Sequence, residues 1–376
     1  MKLKVLYICH SPYALGGAAL SLYNLIKSVS DTVDPIVLLQ DKGATYDYFT
    51  ERNIKCMVVK FKNDMRNPCL VKHILGFVPK WILYTYNNSK CADKVVKLLS
   101  GTKIDIVHSN ATVFTFGYLV AKRLKSKHVW HLREFQDIDF GIAPFTGWKN
   151  VKRKMYNSDA VISITSAVHN HWNMDKHKNG FVFWDAVRSK LDCINEQQKD
   201  KYIVHCAARL SEAKGTDKAI EAFGNSGLFM SGYRLKLIGL VDQKYKSLLQ
   251  NIAKSYGCDK YVDYIGFCDD LKPILSRASA FLMCSKNEGL GRVTIEAMFY
   301  GCLVIGHRTA GTVEFMKDHI NGFLYESTEE CADILKSLPT LTDYSAITSN
   351  AQQYVIEHFS EEEYGKNILK VYNSVL

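Results

Sequence analysis

Two glutamates with seven residues between them, Glu288 and Glu296, have the spacing of side chains that could bind one ligand together. Gly289 and Gly291 lie between them and let the backbone approach a ligand closely, because glycine has no Cβ. Residues 292–300 are predicted to form a helix, and the amino end of a helix attracts anions such as phosphate. Two carboxylates beside an anion site suit a ligand that is rich in hydroxyl groups, such as a sugar or a ribose.

The elements around these glutamates are predicted to form one βαβ unit. Residues 280–284 and 303–305 are short apolar runs, typical of strands that are covered on both faces. The loop with Glu288 therefore follows the carboxyl end of a strand. Open α/β sheets bind their ligands at this edge. The alternative is a core βαβ unit in which Glu288 is merely solvated.

The string EGLGRVTIEA, residues 288–297, resembles the EGFGxxxxEA signature of retaining family-4 glycosyltransferases. Leu290 replaces the family's usual aromatic residue, but the spacing of the two glutamates is kept. The resemblance implies an α/β protein with the GT-B fold, in which two Rossmann-like domains with parallel sheets face a central cleft. It also implies that Glu288 contacts the transferred sugar and that Glu296 binds the ribose hydroxyls. Backbone N–H groups would face the donor at Gly289, Leu290, Gly291 and Arg292.

A second motif lies upstream, at residues 208–215. Its sequence ARLSEAKG resembles the GRLxxxKG element of the same family, with Ala208 in place of the first glycine. Arg209 and Lys214 would then hold the donor diphosphate and neutralise the charge that grows on the leaving group. Phe267, after a predicted strand, resembles the loop close to the nucleotide base.

In the first half of the chain the resemblance is weaker. Gly16 and Gly17 lie at a strand-to-helix junction, where the family's glycines face the donor phosphate and the acceptor. His131 ends a predicted strand and resembles the histidine that hydrogen-bonds the donor sugar. Arg133 and Glu134 depart from the commoner His-Asp pattern, and they could form an ion pair or contact the acceptor.

Asp137 and Asp139 spell D-x-D, the metal motif of the other large glycosyltransferase fold. This string does not directly follow an apolar strand, as that motif does. We therefore interpret it as a polar loop and expect that no metal is required.

Length and composition limit the remaining possibilities. A chain of 376 residues predicts about two domains. The eleven cysteines show no C-x-x-C pair and no zinc-like spacing, so we expect reduced thiols. We see no signal peptide and no transmembrane segment, so we expect a cytoplasmic protein.

The net charge of +10 lies entirely in the first half, which carries +12 through Asp185, while the remainder carries −2. This asymmetry indicates either an anionic partner or a surface merely rich in lysine. Because no nucleic-acid-binding motif accompanies it, a membrane surface or an anionic acceptor ranks above nucleic acid.

Residues 65–90 mix aromatic and basic residues with an apolar stripe, as interfacial helices do. Pro79 is expected to divide this segment into two short pieces. The alternative is a helix pair packed against the sheet.

Alternating strand and helix patterns predict a parallel sheet in each half. The acceptor domain is expected at residues 1–185 and the donor domain at 186–357. A terminal helix over residues 358–376 is expected to cross back to the first domain.

Together these features predict a retaining glycosyltransferase that uses a UDP- or GDP-linked sugar and no further cofactor. The acceptor would be a glycan or a lipid-linked glycan, in the assembly of capsule, exopolysaccharide or lipopolysaccharide. The protein would be peripheral on the inner face of the cell membrane. Two alternatives remain: a GT-B nucleotide-sugar epimerase, and a non-enzymatic subunit that binds nucleotide sugars.

Overall fold

A computed structural model describes residues 2–9, 17–66, 77–112, 114–194, 198–286, 290–309 and 311–376. The chain divides into two compact units. The first unit comprises Met1–Ala186 together with Glu361–Leu376, and the second comprises Val187–Ser360.

The first unit is built on a seven-stranded parallel sheet, ordered β3-β2-β1-β5-β6-β8-β9. Its strands are β1 Leu3–Ile8, β2 Val33–Leu39, β3 Lys55–Val58, β5 Ile106–Ser109, β6 Lys127–Leu132, β8 Ala160–Ser163 and β9 Gly180–Val182. The central strands are apolar runs buried on both faces, as expected for a parallel sheet covered by helices. The short strands β4 (Met65–Arg66) and β7 (Ala143–Pro144) pair antiparallel beside this sheet.

Helices of the first unit cover both faces of the sheet. They are α1 Gly17–Ser28, α2 Ala44–Thr50, α3 Phe77–Leu98, α4 Phe116–Leu124, α5 Asp137–Phe140, α6 Trp148–Tyr156 and α7 Ser166–His171. Helix α3 runs through Pro79 without a break, so the division expected at that residue is not seen there, and residues 67–76, where the first of the two expected pieces would lie, are outside the described residues. Pro79 lies in the first turn of α3, where the missing N–H would have no partner within the helix.

The second unit is built on a six-stranded parallel sheet, ordered β12-β11-β10-β13-β14-β15. Its strands are β10 Asp200–Arg209, β11 Arg234–Leu240, β12 Val262–Gly266, β13 Ala278–Met283, β14 Val304–His307 and β15 Phe323–Tyr325. Its helices are α8 Thr216–Ser226, α9 Gln243–Ser255, α10 Lys272–Leu275, α11 Arg292–Phe299, α12 Thr312–Phe315, α13 Thr328–Ser337 and α14 Tyr344–Phe359.

The last helix, α15 (Glu361–Val375), returns to the first unit. It buries Tyr364 and Tyr372 in the core of that unit. Gly365 is needed for this approach, since a Cβ there would lie 2.4 Å from the Ser28 carbonyl oxygen.

The terminal helix begins later than predicted. Residue 358 still belongs to α14, and the chain turns extended at Ser360. A serine followed by three glutamates is a helix-start signal, because anionic side chains are favourable in the first turn.

No helix in the described ranges combines the length and the hydropathy needed to span a bilayer. The ten cysteines that the structure describes are all free thiols.

Candidate functional site

The predicted donor residues of the second unit lie at the point where its strand order reverses. From β10 the chain adds β11 and β12 on one side, and β13 then pairs with the other side of β10. The loops after β10 and β13 therefore leave adjacent strands at the same edge of the sheet. Such a switch point is where open α/β sheets bind ligands.

Arg209 lies at the carboxyl end of β10, and Lys214 lies in the loop that follows. Arg209 is the last residue of the strand and is exposed, and no ion pair of its side chain occurs among the described residues. A single 3-10 turn, Glu212–Lys214, carries the half-buried Lys214 and ends at Gly215. These two cations are thus presented at the switch point, and their role towards a diphosphate stays a prediction.

The loops after β10 and β13 touch each other. Ser285 Oγ donates to the Ala213 carbonyl oxygen at 3.4 Å. Gly215 has a φ of +66°, and an added Cβ would lie 2.4 Å from the Cys284 carbonyl oxygen. Because both its conformation and its neighbour exclude a side chain, Gly215 holds the Lys214 turn against the loop that leads to α11.

Helix α11 begins at Arg292, further along this loop. Leu290 is buried, and Gly291 takes a left-handed conformation before the first helical residue, Arg292. The first amides of a helix lack intrahelical partners and suit an anion. Glu288 and Gly289 lie outside the described residues.

Glu296 lies in the middle of α11 and is largely buried. Its Oε1 is 3.2 Å from Arg188 Nη2. Burial raises the pKa of Glu296, while the positive charges of Arg188 and Arg292 oppose that rise. The side chain of Glu296 on α11 is thus paired with one arginine, Arg188.

Arg188 is a residue that the sequence did not single out. It follows the boundary between the two units and forms a parallel bridge with Ser360. Its guanidinium carbon lies 5.9 Å from the centre of the Tyr300 ring, and its buried Nε has no hydrogen-bond partner among the described residues. No motif or periodicity marks this position, since its partner Glu296 is distant in sequence.

Phe267 follows β12 and is 58% exposed. Leu240, at the end of β11, is 59% exposed. Both apolar side chains therefore stand at the carboxyl ends of the two strands on one side of β10, and the role of Phe267 near a nucleotide base stays a prediction.

The predicted residues of the first unit are Gly16, Gly17 and His131. Gly16 lies outside the described residues. Gly17 is the exposed first residue of α1, and a Cβ there would meet no atom within 4 Å. His131 is the residue before the last of β6 and has no exposed surface.

His131 belongs to a buried polar network. Its Nδ1 lies 3.3 Å from His108 Nε2, and its Nε2 lies 3.7 Å from Asp185 Oδ1 without a hydrogen bond. Burial, aided by the nearby Arg133 charge, lowers the pKa of His131 well below its ordinary value. The ring is therefore neutral at pH 7, and its role towards a donor sugar stays a prediction.

The same network resolves the two options for Arg133. The side chain forms a buried ion pair with Asp185, not with the neighbouring Glu134, and its Nε donates to Asn110 Oδ1 at 3.1 Å. Tyr364 of α15 donates to Asp185 Oδ1 at 3.0 Å. Arg133 therefore ties the carboxyl end of β6 to the terminal helix.

Asp137 lies in the one-turn helix α5, where the sequence predicted a loop. Its Oδ1 is 2.9 Å from His171 Nε2. The side chain of Asp139 is outside the described part. Among the described residues, no three His, Cys, Asp or Glu side chains are grouped so that they could hold a metal ion.

Two parallel-sheet units with a returning terminal helix define an α/β protein of the GT-B class. HepE from Anabaena, whose crystal structure contains UDP, matches this structure with a TM-score of 0.81 and 19% identity. The match covers 99% of this chain and 100% of HepE. The predicted GT-B fold is confirmed.

Residues 188–372 match the family described as Glycosyl transferases group 1. The chain is 32% identical over 139 residues to the lipopolysaccharide core biosynthesis glycosyltransferase LpsE of Rhizobium meliloti, a match that spans 37% of this chain and 38% of LpsE. It is 23% identical over 322 residues to an uncharacterized glycosyltransferase of Methanocaldococcus jannaschii, over 84% of this chain and 81% of that protein. The second half of the chain is therefore similar to glycosyl transferases group 1, and these matches support glycosyltransferase activity.

Proposed function

We propose that this protein is a retaining glycosyltransferase that moves a sugar from a nucleotide-sugar donor to a glycan or lipid-linked acceptor. The observation that carries the proposal is the switch point of the second unit. There the Arg209–Lys214 turn touches the loop that leads into α11, and α11 carries the buried Glu296. A diphosphate needs cations and helix amides, and a ribose needs a carboxylate that accepts from its hydroxyls.

In the proposed reaction, the bond between the anomeric carbon and the donor phosphate oxygen breaks, and a bond to the acceptor oxygen forms on the same face. The acceptor proton passes to the leaving diphosphate. Arg209 and Lys214 stabilise the negative charge that develops on this diphosphate. Glu288 would contact the sugar and Glu296 the ribose, while His131 would orient the sugar. The donor would be a UDP- or GDP-linked sugar, with no metal and no further cofactor.

Two findings support this choice of donor and pathway. HepE from Anabaena has been crystallised with UDP-glucose, which favours a uridine diphosphate donor. The name of LpsE places that relative in lipopolysaccharide core biosynthesis, which favours a role in surface polysaccharide assembly.

The test is donor consumption. The protein is incubated with UDP- and GDP-sugars, with and without EDTA, and release of the nucleoside diphosphate is followed. One donor should be consumed equally well with EDTA, and the activity should be lost in Lys214→Ala. Binding without turnover that a partner protein restores would favour the non-enzymatic subunit. Conversion of the donor to an epimer without acceptor would favour the epimerase.

The basic first unit supports a further part of the proposal, peripheral contact with an anionic membrane surface. Lysines near such a surface are attracted by about 1 kcal/mol each. Binding to anionic liposomes should therefore weaken as salt is added. Binding that is independent of salt, or absent, would contradict this part.

A further inference from the structure

The first unit contains a cavity between three of its helices, apart from the residues discussed so far. Helices α3, α4 and α6 enclose about 420 Å³, a volume within the usual range of pockets that bind small ligands. Its apolar wall is formed by Trp81, Tyr84, Tyr118 and Leu119. We call it the α3–α4–α6 pocket.

The charge in this pocket is positive. Of the described residues that line it, only Lys122 and Lys154 are charged. Lys154 Nζ donates to Thr115 Oγ1 at 3.1 Å, and Lys122 Nζ lies 5.2 Å from the centre of the Tyr118 ring. Burial lowers the pKa of Lys154, and the nearby Asp64 carboxylate opposes that change. A ligand with an anionic group would find two lysines at an aromatic wall.

Asp64 does not line the pocket and offsets only part of this charge. It is fully buried and accepts from Thr146 Oγ1 at 2.6 Å. Burial raises the pKa of Asp64, while the hydrogen bond from Thr146 and the positive charge of Lys154 oppose that rise. Helix α6, which carries Lys154, has three more basic residues and no acidic one.

Apolar surface continues from the pocket along α3. Trp81 lines the pocket and is 42% exposed, and Ile82, Leu83 and Tyr86 on the same helix are each more than half exposed. Large exposed apolar side chains in one patch mark an interaction site when polar residues border them. Here two cations lie beside the apolar side chains, because Lys122 lines the pocket with Trp81 and Lys90 Nζ is 4.4 Å from the centre of the Tyr86 ring.

We propose that the α3–α4–α6 pocket binds the apolar chain of a lipid whose phosphate or diphosphate group is held by Lys122 and Lys154. Charge complementarity and the apolar wall select this occupant over a neutral glycan, which would offer no anion to either lysine and leave Lys154 with only the buried Asp64 nearby. The inference rests on the proposed function, in which the lipid is the carrier of the acceptor glycan. It narrows the acceptor from a glycan or lipid-linked glycan to the lipid-linked class.

The test uses dodecyl phosphate, below its critical micelle concentration, as the probe. Binding to the full chain is measured by calorimetry and by tryptophan fluorescence. Inorganic phosphate and the neutral amphiphile dodecyl maltoside are the comparison ligands. Saturable one-to-one binding of dodecyl phosphate, at least tenfold tighter than either comparison ligand, is expected. Equal affinity for inorganic phosphate would show that the apolar chain does not contribute to binding. Equal affinity for the maltoside would show that the lysines do not contribute. Either result would contradict the proposal.

Two variants locate the binding within the pocket. Thr85 lies at the exposed rim, so Thr85→Trp should block entry and weaken dodecyl phosphate binding at least tenfold. Lys122 is exposed, so Lys122→Glu should fold and have the same effect through its charge. Lys103→Glu is the matched control, because Lys103 is 90% exposed elsewhere in the unit and does not line the pocket. Unchanged binding in both pocket variants would overturn the assignment.

UDP binding by the same samples separates this inference from the proposed function. Both pocket variants should bind UDP as the unaltered protein does. If the unaltered protein binds dodecyl phosphate but neither it nor the variants bind UDP, the pocket inference is supported and the proposed donor site is wrong. If UDP binds and dodecyl phosphate does not, the pocket inference alone is wrong.

Discussion

Arg188→Met should weaken UDP binding, because it removes the cation that faces the Glu296 carboxylate. Burial raises the pKa of Glu296, and Arg188 opposes that rise. Without Arg188 the carboxylate takes up a proton more readily, and a protonated carboxyl accepts fewer hydrogen bonds from a ribose. The variant keeps the length of the side chain, so its packing against Tyr300 is largely retained.

The size of the effect follows from the contact. The two groups are 3.2 Å apart, and their side chains are 35% and 12% exposed. A hydrogen bond to a charged group contributes about 1.5–3 kcal/mol. Because the Arg188 side chain is partly exposed, solvent screens part of this hydrogen-bond energy, and about 1–2 kcal/mol remains. We therefore expect UDP to bind roughly 5- to 30-fold more weakly.

The assay is calorimetric titration of UDP across a range of pH. For the unaltered protein, affinity falls when the pH is low enough to protonate Glu296. In Arg188→Met this fall should begin at a higher pH, since the opposing charge is gone. Glu296→Gln should weaken binding without this acid-dependent fall, and adding Arg188→Met to it should have little further effect.

Arg277→Met is the matched control. Arg277 pairs with Asp200 at the exposed amino ends of β10 and β13, away from the switch point. It should leave UDP affinity unchanged. Tighter UDP binding in Arg188→Met, or an unaltered pH dependence, would refute the reasoning about Arg188 and Glu296.

Three further predictions concern catalysis and stability. Lys214→Ala should lower kcat/KM for the donor about 10²- to 10³-fold, as loss of one preorganised charge contact does, in an assay of diphosphate release. Gly215→Ala should destabilise the second unit by about 2–5 kcal/mol in urea unfolding, because it adds a clash to a left-handed backbone. Gly257→Ala, with a φ of +67° and open space around it, should cost only about 1–2 kcal/mol. Burial lowers the pKa of His128 to about 3, so this side chain should contribute about 1.4 kcal/mol per pH unit to the loss of stability as the pH drops from 6.5 towards 3, and His128→Gln should reduce the measured slope by that amount.

The second unit was largely predictable from its sequence. Its strands are continuous apolar runs, so their positions follow from composition and length. The Arg209–Lys214 turn and helix α11 could be placed at one sheet edge because each follows a strand. Their mutual contact through Gly215 could not be predicted, since strand order is not encoded in any local pattern.

The polar interior of the first unit was not predictable. The sequence places His131 and Arg133 at the carboxyl end of an apolar strand, where a side chain could reach a ligand. In the structure both side chains are buried. Their partners Asp185 and Tyr364 are far along the chain, and Tyr364 arrives on the terminal helix. Only the three-dimensional packing of α15 shows why these polar groups tolerate burial.

The most direct test of the central claim is to incubate the protein with a panel of UDP- and GDP-sugars and with lipid-linked acceptors, and to measure nucleoside diphosphate release together with the product. We expect that one donor is consumed, that the new linkage keeps the anomeric configuration of the donor, and that Lys214→Ala slows the transfer about 10²- to 10³-fold. A folded protein that binds these donors but transfers no sugar to any acceptor would contradict it.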